Sequence, residues 1–324
     1  MIITFVEQAG GRADRSSLEA LTFARRLASG LGVELEAVLF GSDAASAAGG
    51  LGAYGVTQVH LVDDSRLDAY APAAWGRSLA GLVGSTSPTI VLAAGTDRGQ
   101  EVLAYAAAML DAPMAANCIE VRPGEPFEVT RQRWGGSLLE EARLNGPVRL
   151  LTIAEHATQP EEAAAPTTVS IQTFAPTLSE ADLRVRVVAR VAPEPGKVSL
   201  ADARVVVGGG RGVGGAEAFS QLEELAGLHH GAVGVSRVVT SAGWRPHSQQ
   251  VGQTGTRIAP DIYIACGISG AIQHIVGCKA AKTILAINTD REAPIMSRAS
   301  YAVIGDLHSV VPALSAEIRR RQAS

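Results

Sequence analysis

Short apolar runs separated by helical stretches set the rhythm of the first hundred residues. IITFV (2–6), VELEAVLF (33–40), VTQVHLV (56–62) and TIVLAAG (89–95) are each strand-sized and rich in apolar side chains. Between them apolar positions recur at helical spacing near 18–31, 42–53, 68–84 and 98–111. Ser16 followed by Glu19 has the form of a capping box, which predicts that the first helix opens there. Strand and helix in alternation predict parallel βαβ units.

After Pro113 the rhythm changes. MAANCIEV, PFEVTRQRW, GSLLEEARL, VRLLTIA, TTVSIQTF and LRVRVVAR read as successive strands with few helices between, a β-rich extension of the first sheet. VAPEPGKVSLADA (191–203) interrupts the periodicity with prolines and a glycine. Alternation then resumes. Strands are predicted at 204–208, 231–237, 261–267, 282–288 and 301–305, and helices near 215–228, 269–278 and 310–321. These strands are continuous apolar runs, as in a parallel sheet covered on both faces. The expected fold class is α/β in two domains: an N-terminal α/β domain with its β-rich extension (1–192), a linker (193–199), and a C-terminal doubly wound, Rossmann-like parallel-sheet domain (200–324).

Composition supports two packed domains. The 324 residues suit about two domains at roughly 150 each, and 47% hydrophobic against 19% charged residues excludes a disordered chain. Aromatics are 4%, so the cores must be built from Ala, Val, Leu and Ile. A net charge of −4 argues against a nucleic-acid protein that relies on a basic surface. The charge is uneven: residues 200–324 hold 12 Lys and Arg against 9 Asp and Glu, which suits a polyanionic ligand there. Cys118, Cys266 and Cys278 form neither a disulfide framework nor a CxxC pair. With no signal-peptide pattern and no apolar run of about 20 residues, the expectation is a cytoplasmic protein without a membrane span or a metal.

Candidate chemistry gathers in the last third. In VVVGGGRGVGG, Gly210, Gly212 and Gly215 satisfy GxGxxG after a strand, as a phosphate cradle or as a tight turn. A standard NAD site also wants an acid at the end of the next strand. Ser236-Arg237 stands there instead, and a cation suits an anionic group. The loop QVGQTG (250–255) is dense in amide and hydroxyl groups that either address a heteroaromatic ring or simply face water. In CGISGAIQHIVG (266–277), Ser269 is placed to cap a helix whose first turns carry Gln273 and His274. Asn288 and Asp306 follow the next two strands. All of these positions converge on the carboxyl edge of one sheet. Trp75, Trp134 and Trp244 read as core or interface residues.

DIYIACGISGAIQHIVGCKAAKTILAIN (261–288) closely resembles the signature of the alpha subunit of electron transfer flavoproteins. The resemblance extends to QVGQTG, GGRG, Ser236-Arg237, EAPI (292–295) and GDLHSVVPAL (305–314), and to TFVEQ followed by LEALTFARRLA at the N-terminus. It implies one FAD in the C-terminal domain and a heterodimer with a homologous beta subunit. It also implies electrons taken from dehydrogenases, commonly the acyl-CoA dehydrogenases of fatty acid beta-oxidation, and passed to a quinone reductase or other acceptor. Such a protein is an electron carrier rather than an enzyme with its own substrate.

The implied FAD-contacting positions are Arg211, Ser236, Arg237, Val251, Gly252, Gln253, Thr254, Ser269, Gly270, Ala271, Ile272, Gln273, His274, Asn288, Asp306 and Leu307. Within that set the implied redox-tuning groups are Arg237 and His274, as positive or donor groups on the pyrimidine side of the flavin, and Thr254 at N5. The chain departs from the family pattern at Thr256, where Lys is usual, and at Met296, Ser300 and His308. An NAD-dependent oxidoreductase and a non-catalytic adenine-nucleotide-binding subunit are the alternative readings.

Overall fold

The computed structural model describes residues 1–189 and 198–322. The chain divides into two compact units, Met1–Arg190 and Val191–Ser324. The predicted linker at 193–199 lies, but for its last two residues, outside the described residues.

The first unit runs β1 (Ile2–Phe5), a small ribbon of β2 (Gln8–Ala9) and β3 (Arg12–Ala13), α1 (Arg15–Leu31), β4 (Leu35–Phe40), α2 (Ala44–Ala48), β5 (Gln58–Val62), α3 (Pro72–Thr86), β6 (Ile90–Ala94) and α4 (Asp97–Leu110). Then come β7 (Met114–Arg122), β8 (Glu128–Arg133), β9 (Leu138–Arg143), β10 (Arg149–Ile153) and β11 (Ser170–Phe174). They form one nine-stranded sheet in the order β11-β5-β4-β1-β6-β10-β7-β8-β9. Pairing is parallel except across β7-β8-β9, where hairpin connections make it antiparallel. The β-rich extension predicted after Pro113 is therefore part of the first sheet.

The strands at the centre of this sheet are buried along their length because apolar side chains cover both faces. Leu21, Leu39 and Leu92 pack on one face, and Phe5, Trp75 and Leu79 on the other. Trp75 stacks on Phe40 at 4.6 Å, whereas Trp134 is exposed at the start of the β8–β9 turn.

Two local predictions fail for tertiary reasons. α1 is preceded by Asp14 and has no capping box. Ser16 instead donates its hydroxyl to Glu155 at 3.3 Å, and Glu19 is buried, accepting the His156 amide at 2.8 Å with Arg15 Nε at 3.4 Å. LRVRVVAR forms no strand in its described part. It passes from a 3-10 turn into irregular chain, with Val185 and Val188 largely exposed. The Val187 amide bonds to the Tyr70 carbonyl at 2.8 Å, outside any sheet ladder.

Burial alone would raise the Glu19 carboxyl, but the bonds and charge of His156, with Arg15, hold it below the ordinary carboxylate range. A carboxylate depressed in the folded state stabilises above its unfolded pKa, and that stabilisation is lost as pH falls through the folded value. Thermal melts of wild type and Glu19→Gln should therefore differ most near neutrality and converge as the pH approaches 3. A gap that stays constant with pH would show that Glu19 acts through shape alone.

The second unit contains β12 (Val205–Gly209), α5 (Ser220–Gly227), β13 (Ala232–Val235), α6 (Arg237–Ser241), β14 (Ile262–Cys266), α7 (Ile272–Cys278), β15 (Thr283–Asn288), β16 (Tyr301–Ile304) and α8 (Leu307–Gln322). All pairings in its five-stranded sheet are parallel, in the order β13-β12-β14-β15-β16. Val206, Tyr263 and Ala286 pack on one face, and Val207, Ile264 and Ile287 on the other. The winding direction reverses between β12 and β14. In open α/β sheets, ligands bind at that switch point, outside the carboxyl ends of the strands.

Candidate functional site

A cavity of about 600 Å³ opens at this edge, within the 300–1,000 Å³ range of small-molecule sites. Five segments line it: the turn after β12, the start of α6, the loop 250–254, the turn from β14 into α7, and the loop after β15.

The glycine-rich turn takes the tight-turn form that GxGxxG also allows, with two of its amides bonded within the protein. It leads into a 3-10 turn, Arg211–Val213, and α5 begins only at Ser220. The Gly210 amide donates to the Cys266 carbonyl at 2.9 Å and the Gly212 amide to the Gly267 carbonyl at 3.1 Å. A Cβ on Gly210 would stand 2.2 Å from the Gly267 oxygen. These glycines let two loops seat on one another. What the turn offers the cavity is Arg211, which is exposed.

The second cation comes from the neighbouring strand. Ser236 precedes α6 and Arg237 is its first residue. Neither Arg211 nor Arg237 has an ion-pair partner among the described residues. Val251 continues alongside β13, its amide bonded to the Val235 carbonyl at 2.9 Å. Gln253 follows, its amide bonded to the Gln273 carbonyl at 2.7 Å. Gly252 has φ +146 and lies against Gln273, so a side chain there would be strained.

Gln250 is a contributor that residue-by-residue reading missed. It is buried and accepts from the Thr240 hydroxyl at 2.7 Å. Its own Nε2 donates to Thr254 Oγ1 at 3.0 Å. The Thr254 oxygen is thereby engaged as an acceptor, and the hydroxyl keeps its proton to donate. Its position at the head of QVGQTG was the available signal.

The β14–α7 turn corrects another expectation. Ser269 is not a helix cap; α7 is preceded by Ala271 and begins at Ile272. Ser269 instead fixes the turn through its carbonyl, which accepts the Ile295 amide at 3.0 Å, and its side chain remains exposed. Gly270, at φ +81, packs so closely on the Ile295 backbone that a Cβ would stand 2.5 Å from its nitrogen.

His274 is buried at the floor of the site. Its Nε2 lies 2.8 Å from the Tyr263 hydroxyl, while Nδ1 has no hydrogen-bond partner of acceptable geometry. Burial pushes the imidazole down to about 4, against the nearby Val251 carbonyl, which favours the proton. The ring is therefore neutral near neutral pH. Any donor it offers is an N–H of the neutral ring, and the positive charge of the site rests on the arginines.

Arg211, Ser236, Arg237, Val251, Gly252, Gln253, Thr254, Ser269, Gly270, Ala271, Gln273, His274 and Asn288 all line the cavity. Asn288 is held there by donating to the Ile268 carbonyl at 3.0 Å and accepting the Asp290 amide at 3.1 Å. Three predicted residues do not line it. Ile272 points largely to solvent, Leu307 is buried in the core beneath α8, and Asp306 accepts the His308 amide at 3.0 Å. Of the departures from the family pattern, Ser300 accepts the Ile284 amide at 3.3 Å and His308 meets Gln221 at 2.8 Å. Among the described residues there is no cluster suited to a metal ion, and no helix is long and apolar enough to cross a membrane.

A doubly wound parallel sheet with an unpaired pair of arginines at its switch-point cavity defines a nucleotide-cofactor-binding α/β domain. Comparison with known proteins specifies the kind. Residues 2–179 match the electron transfer flavoprotein domain, and residues 199–279 match the electron transfer flavoprotein FAD-binding domain. The chain is 36% identical over 324 residues to the electron transfer flavoprotein subunit alpha of Mycobacterium leprae, covering 99% of this chain and 98% of that one. The corresponding subunit of Mycobacterium tuberculosis is 38% identical over 324 residues, covering 99% of both. That of Thermoanaerobacterium thermosaccharolyticum is 32% identical over 319 residues, covering 98% and 97%. The chain belongs to the electron transfer flavoprotein alpha-subunit family, and its cofactor is FAD. The residues present fit that group: two arginine cations suit an anionic dinucleotide cofactor, and a buried imidazole nitrogen awaits a partner.

Proposed function

We propose that the chain is the FAD-carrying alpha subunit of a heterodimeric electron carrier. Its partner is a homologous beta subunit. Its donors are flavin dehydrogenases, acyl-CoA dehydrogenases of fatty acid beta-oxidation among them, and its acceptor is a quinone reductase or another oxidant, in the cytoplasm. The observation that carries this reading is the convergence of five segments, separated in sequence, on one cavity of the second unit.

FAD, when bound, supplies an isoalloxazine ring that takes up and returns electrons. The chain's residues bind and orient it. Arg211 and Ser269 suit the pyrophosphate, and Asn288 the adenosine end, with Asp306 at its margin. Arg237, Thr254 and His274 address the ring. The guanidinium of Arg237 opposes the negative charge that reduction brings, a field that costs no reorganisation because it is already in place. Thr254 donates its hydroxyl proton toward N5 while Gln250 holds its oxygen. Domains 1–192 and 200–324 then divide the work: the first docks the beta subunit, and the second, tethered through 193–199, carries the flavin.

Co-expression with the beta subunit, followed by visible absorbance and anaerobic mixing with a reduced acyl-CoA dehydrogenase, tests this. Flavin bands that bleach on mixing are expected. A colourless heterodimer would overturn the cofactor site, and a flavin that stays oxidised would overturn the choice of donor.

A further inference from the structure

Tyr263 lies in β14, fully buried, and its hydroxyl has one hydrogen-bond partner among the described residues, Nε2 of His274 at 2.8 Å. The adjacent strand makes room for this hydroxyl. Gly208 of β12 faces it, and a Cβ there would stand 2.2 Å from the phenolic oxygen. The pairing of a phenol with an imidazole is thus built into the sheet.

The direction of this bond is set by what surrounds it. Burial beside Cys266 and Cys278 keeps the phenol protonated, with its pKa well above the ordinary value. The same burial pushes both thiols up to about 12, so neither is a thiolate that accepts the phenolic proton. If Nε2 carried the imidazole proton, it would donate to the oxygen and leave the phenolic O–H without an acceptor. Such a buried orphan costs roughly tenfold or more in population. If the phenol donates, Nε2 accepts and only the Nδ1–H is left over, against both the phenolic O–H and the Nδ1 lone pair in the other tautomer. The imidazole proton then sits on Nδ1, the nitrogen that has no hydrogen-bond partner of acceptable geometry among the described residues.

We infer that Tyr263 is the positioning residue that holds His274 as its Nδ1–H tautomer, so that His274 offers the cavity a donor and not an acceptor. This rests on the FAD reading for its consequence. A neutral N–H donor can address the carbonyl edge of the flavin's pyrimidine ring but cannot accept from its N3–H. Tyr263, which does not itself line the cavity, thereby selects through His274 which edge of the ring is recognised.

The test uses the co-expressed heterodimer labelled with 15N-histidine, with and without FAD. The His274 resonances are assigned by their loss in His274→Asn. Wild type should show a protonated Nδ1 and an unprotonated Nε2 in both forms. In Tyr263→Phe, which removes only the hydroxyl, the tautomer ratio should fall by roughly five- to tenfold, the worth of one buried hydrogen bond, and the flavin potential should shift with it. A proton on Nε2 in wild type overturns the inference by itself, whether or not the variant folds. An unchanged ratio in a folded Tyr263→Phe overturns it as well. The tautomer is read without flavin too, so failure of the FAD reading shows separately, as a colourless protein.

Discussion

Ser269→Asp is expected to strip FAD from the heterodimer while leaving both units folded. The Ser269 side chain is exposed at the cavity and its carbonyl, not its hydroxyl, holds the turn to Ile295. An aspartate therefore fits without disturbing the backbone. It brings a negative charge to the place assigned to the pyrophosphate. Two like charges about 4 Å apart repel by about 4 kcal/mol at an effective dielectric of about 20. Solvent at this exposed position screens part of that. FAD affinity should still fall about a hundredfold, since each 1.4 kcal/mol is about tenfold in affinity. Ser269→Ala removes a hydroxyl but adds no charge, so its effect should be several-fold at most. Flavin absorbance relative to protein reads the outcome, and hydrogen exchange verifies the fold. Full occupancy in Ser269→Asp would place the phosphates elsewhere along the sheet edge.

The contrast between these variants follows from how the cavity is charged. Arg211 and Arg237 lack ion-pair partners among the described residues, and His274 is neutral. The positive field of the site thus comes from two side chains just past the ends of adjacent strands, Arg211 in the turn after β12 and Arg237 at the start of α6 after β13. An added carboxylate acts directly against both. Hydroxyl and amide groups around them, such as Thr254 held by Gln250, orient a ligand without changing its charge balance.

Strands were the most legible part of the sequence. IITFV, TIVLAAG, DIYIACG and KTILAIN are mainly apolar because both faces of a parallel sheet are covered, and no competing pattern overlies them. Features set by distant contacts were less legible. Ser16 and Glu19 have capping-box spacing, yet Glu19 serves His156, 137 residues away. LRVRVVAR has the alternation of a strand, but a strand also needs a free neighbour in register, which local pattern does not supply. At the site, the loops that converge were visible as polar and glycine-rich punctuation after each strand. Which of their atoms remain available was not. GxGxxG announces free amides, whereas those of Gly210 and Gly212 are bonded to the facing loop. Leu307 resembles a family contact position but belongs to the core. Tyr263 was hidden because it acts on another side chain, and such a second contact leaves no spacing to read, whereas Gln250 was signalled only by the loop it heads.

Gly210→Ala should destabilise the second unit and leave the first unaffected. The turn after β12 and the turn after β14 meet backbone to backbone at the switch point. A methyl group on Gly210 would stand 2.2 Å from the Gly267 oxygen and 2.8 Å from the Ile268 Cα. Neither neighbour is a flexible side-chain end. Gly267 cannot yield easily, because even a Cβ there would stand 2.7 Å from the Gly212 Cα and 2.9 Å from Leu307 Cδ2, and its φ of +61 already suits few residues. Relief requires the two turns to separate. That breaks the bonds from Gly210 to Cys266 and from Gly212 to Gly267. Overpacking costs about 1–3 kcal/mol, and each lost hydrogen bond about 1 kcal/mol, so the loss should reach about 3 kcal/mol. FAD should dissociate as well, since Arg211 stands on one turn and Ser269 on the other. Urea titration followed by peptide-resolved hydrogen exchange separates the units: protection should fall across 205–209 and 262–266 and persist across 2–5 and 90–94. If exchange at β12 and β14 matches wild type, the two turns do not bear on one another, and the glycine at 210 is there for phosphate after all.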